Sequence, residues 1–152
     1  MLPKLDEKDM KILEVLRDDA SLSTQQISKK TRIPITTVHH RMKQLRKEGT
    51  IKKTTIVVNH EHLGRPVSVF IMLQADYGYL KQVGMDQHDL ARKISLNPYV
   101  EHVALVTGDF DILIKARVGS IKDLDGLLIE KFRNMDGVGT TRTMVVLNEF
   151  EK

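Results

Sequence analysis

The sequence predicts an α+β protein made of an N-terminal winged helix-turn-helix domain followed by a ferredoxin-like βαββαβ domain. Three observations predict this fold. Apolar residues recur at helical spacing up to residue 48, and strand and helix patterns alternate from residue 67 onward. The two parts also differ in charge: residues 1–56 hold 13 basic and 7 acidic side chains, whereas residues 57–152 hold 11 and 13. A positive excess confined to the first part predicts that this part meets a polyanion.

Composition excludes several classes of protein. With 152 residues, of which 41% are hydrophobic, the chain is long enough for two small cores. No apolar run approaches the roughly 20 residues that span a bilayer, and the first residues lack the apolar stretch of a secretory signal. The absence of cysteine fits a reducing compartment and excludes disulfides, thiolate zinc sites and a cysteine nucleophile. We therefore expect a cytoplasmic protein with no membrane partner.

Capping residues predict where the helices of the first part begin and end. Asp6 is expected to cap the first helix, and Ser23 with Gln26 has the capping-box spacing that starts the second. Pro34 prevents the second helix from continuing and starts the third, and Gly49 provides a left-handed stop after it. The inward face of the third helix is expected to comprise Val38, Met42 and Leu45.

The residues that follow mark a domain boundary. The β-branched segment 51–58 predicts a short hairpin or wing, and the polar segment 59–66 contains the Gly and Pro typical of a boundary. The predicted organisation is therefore a winged helix-turn-helix domain at 1–58, a linker at 59–66 and a second domain at 67–152.

Alternating patterns in the second domain predict four strands and two helices. Two βαβ units in tandem build a sheet with both helices on one face. The first strand is apolar nearly throughout, which predicts that its other face is also covered, most simply by a second subunit. The predicted strands are Val67–Ala75, Val100–Val106, Phe110–Val118 and Thr140–Leu147. The predicted helices are Met85–Leu96 and Ile121–Met135, the latter with Leu124, Leu127, Leu128 and Phe132 facing inward.

The third helix is the candidate nucleic-acid contact. Between Lys29 and Lys53 there are nine Lys or Arg residues and a single acid, Glu48. A compact basic helical unit suits the phosphates of a duplex, because each neutralised phosphate releases a condensed counterion. The alternative is a solvated charged surface. The candidate base contacts are Ile35, Thr36, Thr37, His39 and His40; the candidate phosphate contacts are Arg41, Lys43, Arg46 and Lys47, with Lys52 and Lys53 along the wing.

The order and spacing of residues in both parts resemble the Lrp/AsnC family of prokaryotic regulators over nearly the whole chain. The resemblance implies a sequence-specific DNA-binding transcriptional regulator that forms homodimers, which in this family commonly assemble into octamers. It also implies an amino acid as candidate effector. The matching residues are Leu5-Asp6, Asp9, Ile12-Leu13, Asp19-Ala20, Val38, Arg41, Gly49-Thr50-Ile51, Leu63-Gly64, Val100, Val103, Gly108-Asp109-Phe110-Asp111, Val138 and Thr141-Arg142-Thr143.

Two residues, Arg32 and Pro34, depart from the family pattern, and a third residue, Arg41, has two possible roles. Arg32 stands in the turn where the family usually has Gly, and Pro34 stands where it usually has a Ser cap. Both residues lie where the chain enters the third helix. They therefore affect the orientation of that helix and, with it, the expected base contacts. Arg41 either grips phosphate or braces the first helix through an acidic partner.

The resemblance also implies an effector loop. Four residues between two predicted strands, Gly108, Asp109, Phe110 and Asp111, would line a small-molecule pocket at the subunit interface, because backbone N–H groups in such a turn can hold a carboxylate. Thr141 and Thr143, on alternate positions of the last strand, would add hydroxyl contacts. The alternative is a hairpin turn capped by an Asp.

Catalytic and metal chemistry are not expected. The two histidines of His60-Glu61-His62 lack a third ligand, so they do not define a metal site. No nucleophile-base-acid set and no Gly-rich phosphate loop is present, and we predict neither an enzyme nor a cofactor. Two other functions stay open: a non-specific, nucleoid-like DNA binder, and a small-molecule sensor that acts through protein contacts.

Overall fold

The computed structural model describes residues 4–150, without the side chains of residues 128–130. The chain divides into two compact units, Met1–Val58 and Asn59–Lys152. Within the described range, no helix is long and apolar enough to cross a bilayer.

Three helices build the first unit: α1 (Glu7–Asp18), α2 (Thr24–Thr31) and α3 (Ile35–Lys47). Both predicted caps are formed. Asp9 donates its backbone N–H to Asp6 Oδ1 at 2.9 Å, and Gln26 donates its own to Ser23 Oγ at 3.3 Å. The predicted stop after α3 is also present, since Gly49 has φ 74°. The helices close over one core of six buried side chains, Ile12, Ile27, Ile33, Val38, Met42 and Leu45.

The turn between α2 and α3 holds a non-glycine residue in a left-handed conformation. Arg32 follows α2 with φ 58° and ψ 28°, and among the described residues it is the only non-glycine with positive φ. Pro34 precedes α3 with φ −53° and makes no side-chain cap. The departures seen in the sequence therefore affect the entry into α3 without preventing either helix.

Replacing Arg32 by Gly is expected to raise the unfolding free energy of the first unit by about 1 kcal/mol, because the Cβ in a left-handed conformation costs roughly 1–2 kcal/mol and glycine loses part of this gain through chain entropy. Native-state hydrogen exchange of the α2 and α3 amides measures the change. Arg32→Ala is the control, since it removes the charge but keeps the Cβ and should show no such gain.

Residues 51–58 do not form the predicted hairpin. No strand is paired there, and Ile56 and Val57 are 80% and 82% exposed. A β-branched run favours an extended backbone, but it does not supply a neighbouring strand. The backbone N–H and C=O groups of a strand need such a neighbour for their hydrogen bonds.

The segment expected as a linker, 59–66, is a turn that folds onto the second unit. The Arg65 guanidinium donates to the Pro98 carbonyl at 2.9 Å and lies 5.2 Å from the centre of the Tyr99 ring. His60 lies 3.4 Å from the Glu101 carboxylate.

The second unit is a four-stranded sheet with helices between its strands. The strands are β1 (Val67–Ala75), β2 (Val100–Leu105), β3 (Ile112–Val118) and β4 (Val138–Val145). Their order in the sheet is β2-β3-β1-β4, and all neighbours are antiparallel. This is the ferredoxin-like topology that the strand and helix pattern predicted.

The helices of this unit differ from the prediction in two places. A short helix, α4 (Tyr77–Gln82), was not predicted; Asp76 caps it by accepting from the Tyr79 N–H at 2.9 Å. It precedes α5 (Gln87–Ser95). The predicted helix 121–135 is divided into α6 (Ile121–Gly126) and a π-helical segment, Leu127–Arg133. The predicted inward position of Leu128 falls among the side chains that are not described.

Strand register separates the two faces of the sheet. The helix-facing side carries Val69, Ile71 and Leu73 of β1, all fully buried in the core. On the other side, Phe70 pairs with Lys115 and Met144, and Met144 is 47% exposed. β1 therefore carries apolar residues on both faces, and within one chain the helices cover only one of them. That a second subunit covers the other face stays a prediction.

A charged cluster lies at one end of this helix-free face. Lys115 and Arg117 of β3 both pair with Glu149, near the end of the described chain, and Arg117 Nε also lies 2.9 Å from Glu101. The hydrogen bond from Lys115 is the largest influence that lowers the pKa of Glu149 below 4.5. These ion pairs hold the C-terminal segment against the sheet.

We expect this attachment to be lost in acid. A carboxyl with a lowered pKa in the folded protein stabilises the fold above its unfolded pKa, here 4.5, and loses that contribution as pH falls through the folded value. The Val146 amide donates to the Ser68 carbonyl at 2.9 Å, so its NMR shift should follow a transition below pH 4.5. In Glu149→Gln the same amide should show no transition there; an identical transition would contradict the assignment.

Candidate nucleic-acid interface and effector loop

The solvent face of α3 is polar and cationic. Val38, Met42 and Leu45 are buried at helical spacing, so residues about 180° away around the helix point outward. Those residues are Thr36, His40, Lys43 and Lys47, and all four are exposed. We call this set the outer stripe. It brings together four predicted DNA contacts on one face without an acidic residue between them.

A second group of predicted contacts borders a groove. Thr24, at the start of α2, lines a surface cavity of about 310 Å³ together with His39, Met42, Lys43 and Arg46 of α3. His39 and His40 diverge by about 100° around the helix, so only His39 reaches this groove. The groove therefore adds imidazole and guanidinium donors beside the outer stripe.

Arg41 points away from this surface. Its guanidinium lies 2.7 Å from Asp6 Oδ2 and 3.2 Å from Asp9 Oδ2, and Asp9 is among the few buried charged residues. The hydrogen bond from the Asp9 backbone, followed by the charge of Arg41, lowers the pKa of Asp6. Of the two roles that the sequence left open for Arg41, these ion pairs favour the bracing of the first helix.

The remaining predicted DNA contacts lie outside the outer stripe. Ile35 is 48% exposed at the start of α3, and Thr37 is half-buried on the flank that also carries Arg41. Lys52 and Lys53 are exposed, but they sit in the unpaired segment 51–58 and not on a wing hairpin.

The predicted effector loop is tied into the sheet by Asp111. Asp111 Oδ2 accepts from the Ala75 N–H at 2.8 Å, and Oδ1 accepts from the Tyr77 hydroxyl at 2.7 Å. The Asp111 N–H donates to the Leu73 carbonyl at 3.0 Å. Both carboxylate oxygens of Asp111 therefore fix the loop against the end of β1. This arrangement agrees with the alternative given in the sequence analysis, a hairpin turn capped by an Asp.

The other loop residues have fewer contacts. Gly108 has φ 119°, a conformation that favours glycine, and Asp109 is exposed. Phe110 is half-buried, and the Arg142 guanidinium lies 5.5 Å from its ring centre. Arg142 pairs with Met72, so this contact belongs to the helix-free side of the sheet.

Thr141 and Thr143 lie on the opposite side. They pair with Leu73 and Ile71, whose side chains are buried in the core under the helices. Alternation along the strand does bring the two threonines to one face, but that face is not the one with Phe110. Within one chain, the threonines and Phe110 therefore lie on opposite faces of the sheet. Their contribution to a pocket at the subunit interface stays a prediction.

Two residues near the loop were not predicted from the sequence. Tyr77 opens α4, and its hydroxyl, besides bonding Asp111, lies 3.0 Å from Gln87 Oε1 at the start of α5. Its hydrogen bond to the Asp111 carboxylate raises the pKa of Tyr77. No group of three or more His, Cys, Asp or Glu suited to a metal occurs among the described residues.

A basic three-helix unit followed along the chain by a ferredoxin-like unit is typical of one class of protein, the helix-turn-helix regulators that carry a separate ligand-binding domain. Comparison with known families agrees in both parts: residues 5–52 match a winged helix-turn-helix DNA-binding family, and residues 68–152 match the Lrp/AsnC ligand-binding domain. The chain belongs to the Lrp/AsnC family and is a DNA-binding transcriptional regulator.

Individual relatives cover the chain almost completely. An uncharacterized HTH-type transcriptional regulator of Pyrococcus horikoshii is 38% identical over 141 residues, which span 93% of this chain and 91% of that protein. The HTH-type transcriptional regulator FL11 of Pyrococcus furiosus is 36% identical over 143 residues, or 94% and 89% of the two chains.

Solved structures share the fold. Escherichia coli AsnC superposes with a TM-score of 0.81 at 26% identity, covering 97% of this chain and 95% of that one. A transcriptional regulator from Neisseria meningitidis, solved as a complex with L-Met, superposes with a TM-score of 0.88 at 21% identity, covering 98% and 94%. The second likeness concerns the fold alone.

Proposed function

We propose that α3 enters the major groove of DNA and that the outer stripe carries the contact. The observation behind this proposal is the position of Thr36, His40, Lys43 and Lys47 on one exposed face of a short helix. Residues near the N-terminus of a recognition helix read base edges, whereas lysines further along contact phosphates. Thr36, His39 and His40 are therefore the base-reading candidates.

The phosphate contacts come from Lys43, Arg46 and Lys47. Arg46 lines the groove beside the start of α2, and Lys47 lies in the last turn of α3. Cations at these positions grip the backbone on both sides of the helix and set its register without selecting sequence. Lys52 and Lys53 extend the grip in the segment that follows.

We propose that two copies pair through the helix-free face of the sheet. Phe70, Met72 and Leu113 lie half-buried on that face, with Met144 beside them, and an apolar sheet face without a cover is a common subunit contact. A two-fold axis would present two recognition helices, so the binding site should be roughly palindromic, with half-sites about one helical turn apart or a multiple of it. Dimers could then assemble further into octamers.

An amino acid is the proposed effector, bound in the second unit beside the loop from Gly108 to Asp111. The description of the matching domain as ligand-binding and the L-Met complex of the Neisseria meningitidis regulator support this choice. A ligand that changes the fit to DNA must itself bind more or less tightly when DNA is present, by the same factor.

Selection of bound duplexes from random DNA tests the proposal, with and without each amino acid. We expect one enriched, roughly palindromic sequence that competes better than a scrambled duplex. Binding without any preference would instead support the non-specific, nucleoid-like alternative. If no duplex binds even at low salt, the remaining hypothesis is a small-molecule sensor that acts through protein contacts.

A further inference from the structure

Resting on the proposed docking of α3 against DNA, we propose that His39 and His40 bind the duplex in their protonated form, so that DNA binding takes up protons. A neutral imidazole has one N–H donor and no net charge, whereas an imidazolium has two N–H donors and a positive charge. Histidine is the side chain whose charge ordinarily changes between about pH 5 and pH 8. The affinity for DNA is therefore expected to rise as pH falls through this range.

Both histidines lie on the solvent side of α3. His39 and His40 are exposed, and neither ring forms a hydrogen bond or an ion pair with another residue of the described range. His39 borders the groove that Thr24 of α2 lines, and His40 lies in the outer stripe between Thr36 and Lys43. Both nitrogens of each ring therefore remain available to DNA.

The charged side chains nearest to the two rings on the outward side of α3 are cations. Lys43 is four residues after His39 and three after His40, so it neighbours both of them on the helix surface. Arg46 lines the same groove as His39, and Lys47 shares the outer stripe with His40. Like charges at such spacings repel one another. In the unbound protein, these cations therefore oppose a further positive charge on either ring.

The acid that follows α3 is engaged elsewhere. Glu48 is the single acid between Lys29 and Lys53, and its Oε1 accepts from Gln44 Nε2 at 2.8 Å. It comes eight residues after His40, which corresponds to about 12 Å along the helix axis. Glu48 therefore does not serve as the carboxylate partner of a protonated ring.

Among the described residues, the other two helices bring no carboxylate into contact with these rings. The acids at the start of α1 that contact α3 are Asp6 and Asp9, and both pair with Arg41. Arg41 lies about 100° or more around α3 from either histidine. α2 contains no acid, and its charged side chains are the cations Lys29 and Lys30. A positive charge on either ring consequently gains its counter-charge only when a polyanion binds.

Binding to a duplex reverses the balance of charge around the rings. Phosphates gripped by Lys43, Arg46 and Lys47 place negative charge beside the histidines, and an opposite charge within about 4–6 Å favours the charged form of an ionisable group. A protonated ring also donates to a phosphate or to the N7 and O6 acceptors of guanine in the major groove. The charged form is thus stabilised in the complex relative to the unbound protein. By linkage, the affinity gained in this way is present at low pH and is lost as pH rises.

Calorimetric titration of the full-length protein with the duplex enriched by selection tests the proton uptake. Near pH 7, the measured binding enthalpy should differ between phosphate and Tris buffers, which have different ionisation enthalpies, and the difference should have the sign of proton uptake. The affinity should be roughly ten-fold higher at about pH 6 than at about pH 8 for each histidine that contacts DNA, the gain from one charge-assisted hydrogen bond. Salt is held constant, because phosphate contacts are themselves salt-dependent.

Substitutions at the two positions set the lower and the upper limit of affinity. His39→Gln with His40→Gln keeps polar side chains that cannot gain a charge, so this variant should show the weaker, high-pH affinity throughout. His39→Arg with His40→Arg carries permanent charges and should bind nearly as tightly at about pH 8 as at about pH 6. The control is His88→Gln, which replaces an exposed histidine in α5 and should keep the wild-type pH dependence.

Three results would overturn the proposal. They are equal wild-type affinity at both pH values, a binding enthalpy that is the same in both buffers, and full pH dependence in the double glutamine variant. In each of these cases the DNA-binding function stands, because a duplex is still bound. If no duplex binds at any pH, even at low salt, the DNA-binding function itself fails, and the proton uptake fails with it.

Discussion

Replacing Arg46 and Lys47 together by alanine is expected to weaken DNA binding by roughly ten-fold for each phosphate that is no longer gripped, at about 0.1 M salt. The slope of log affinity against log salt should become shallower by about 1.8 per protomer, because each gripped phosphate contributes about 0.9 to the slope. The weakening should be similar for specific and scrambled duplexes, since phosphate contacts do not select sequence. Gel-shift titrations at several salt concentrations measure both effects.

The matched control removes the same charge from the other unit. Arg92 and Lys93 lie in the last turn of α5 and are exposed, so Arg92→Ala with Lys93→Ala changes net charge equally without touching α3. We expect this control to keep the wild-type salt slope. If the two double variants lose affinity equally, only overall charge matters and α3 is not the recognition helix.

Replacing Arg41 by Met is expected to lower the unfolding free energy of the first unit by about 2 kcal/mol. The variant leaves the buried Asp9 carboxylate without its cationic partner, and a buried charge that loses its partner is costly. In the wild-type protein, Arg41 of α3 lies 3.2 Å from Asp9 of α1 and 2.7 Å from Asp6, which caps α1. Hydrogen exchange of the α1 and α3 amides measures the destabilisation.

The salt slope of DNA binding separates a brace from a phosphate contact. Below the unfolding temperature, Arg41→Met should keep the wild-type slope, whereas Lys43→Met should make it shallower by about 0.9. Lys43 is exposed, so its replacement should change stability by no more than about 0.5 kcal/mol. A shallower slope for Arg41→Met would return Arg41 to the set of DNA contacts.

The Asp9→Asn variant provides a second check on the brace. If Arg41 acts mainly through Asp9, the effects of Arg41→Met and Asp9→Asn on stability should not add. Additive effects would mean that Arg41 stabilises the unit through other contacts.

Short-range signals in the sequence were enough for the three helices of the first unit, although not for residues 51–58. The caps at Asp6 and Ser23 and the stop at Gly49 depend on residues within four positions of one another, so the chain specifies them locally. The buried spacing of Val38, Met42 and Leu45 similarly identifies the inward side of α3, and therefore its outer stripe. The fold class and the family followed from the order of such local patterns.

Long-range contacts determined the roles of individual side chains. In the sequence, Arg41 is one of several cations in a basic run. The structure shows that it contacts Asp9, more than thirty residues earlier in the chain. In the second unit, strand register separated Thr141 from Phe110. The short helix α4 has too few residues for a periodic pattern, and its place depends on packing against Gly137.

The sequence by itself determined that a basic helical unit precedes a ferredoxin-like unit and that α3 is the cationic helix, because charge and helical periodicity are local properties. Only the tertiary structure showed that Arg41 pairs with Asp6 and Asp9, and that the Tyr77 hydroxyl donates to Asp111. Those features depend on which distant side chains the folded backbone brings within hydrogen-bond distance.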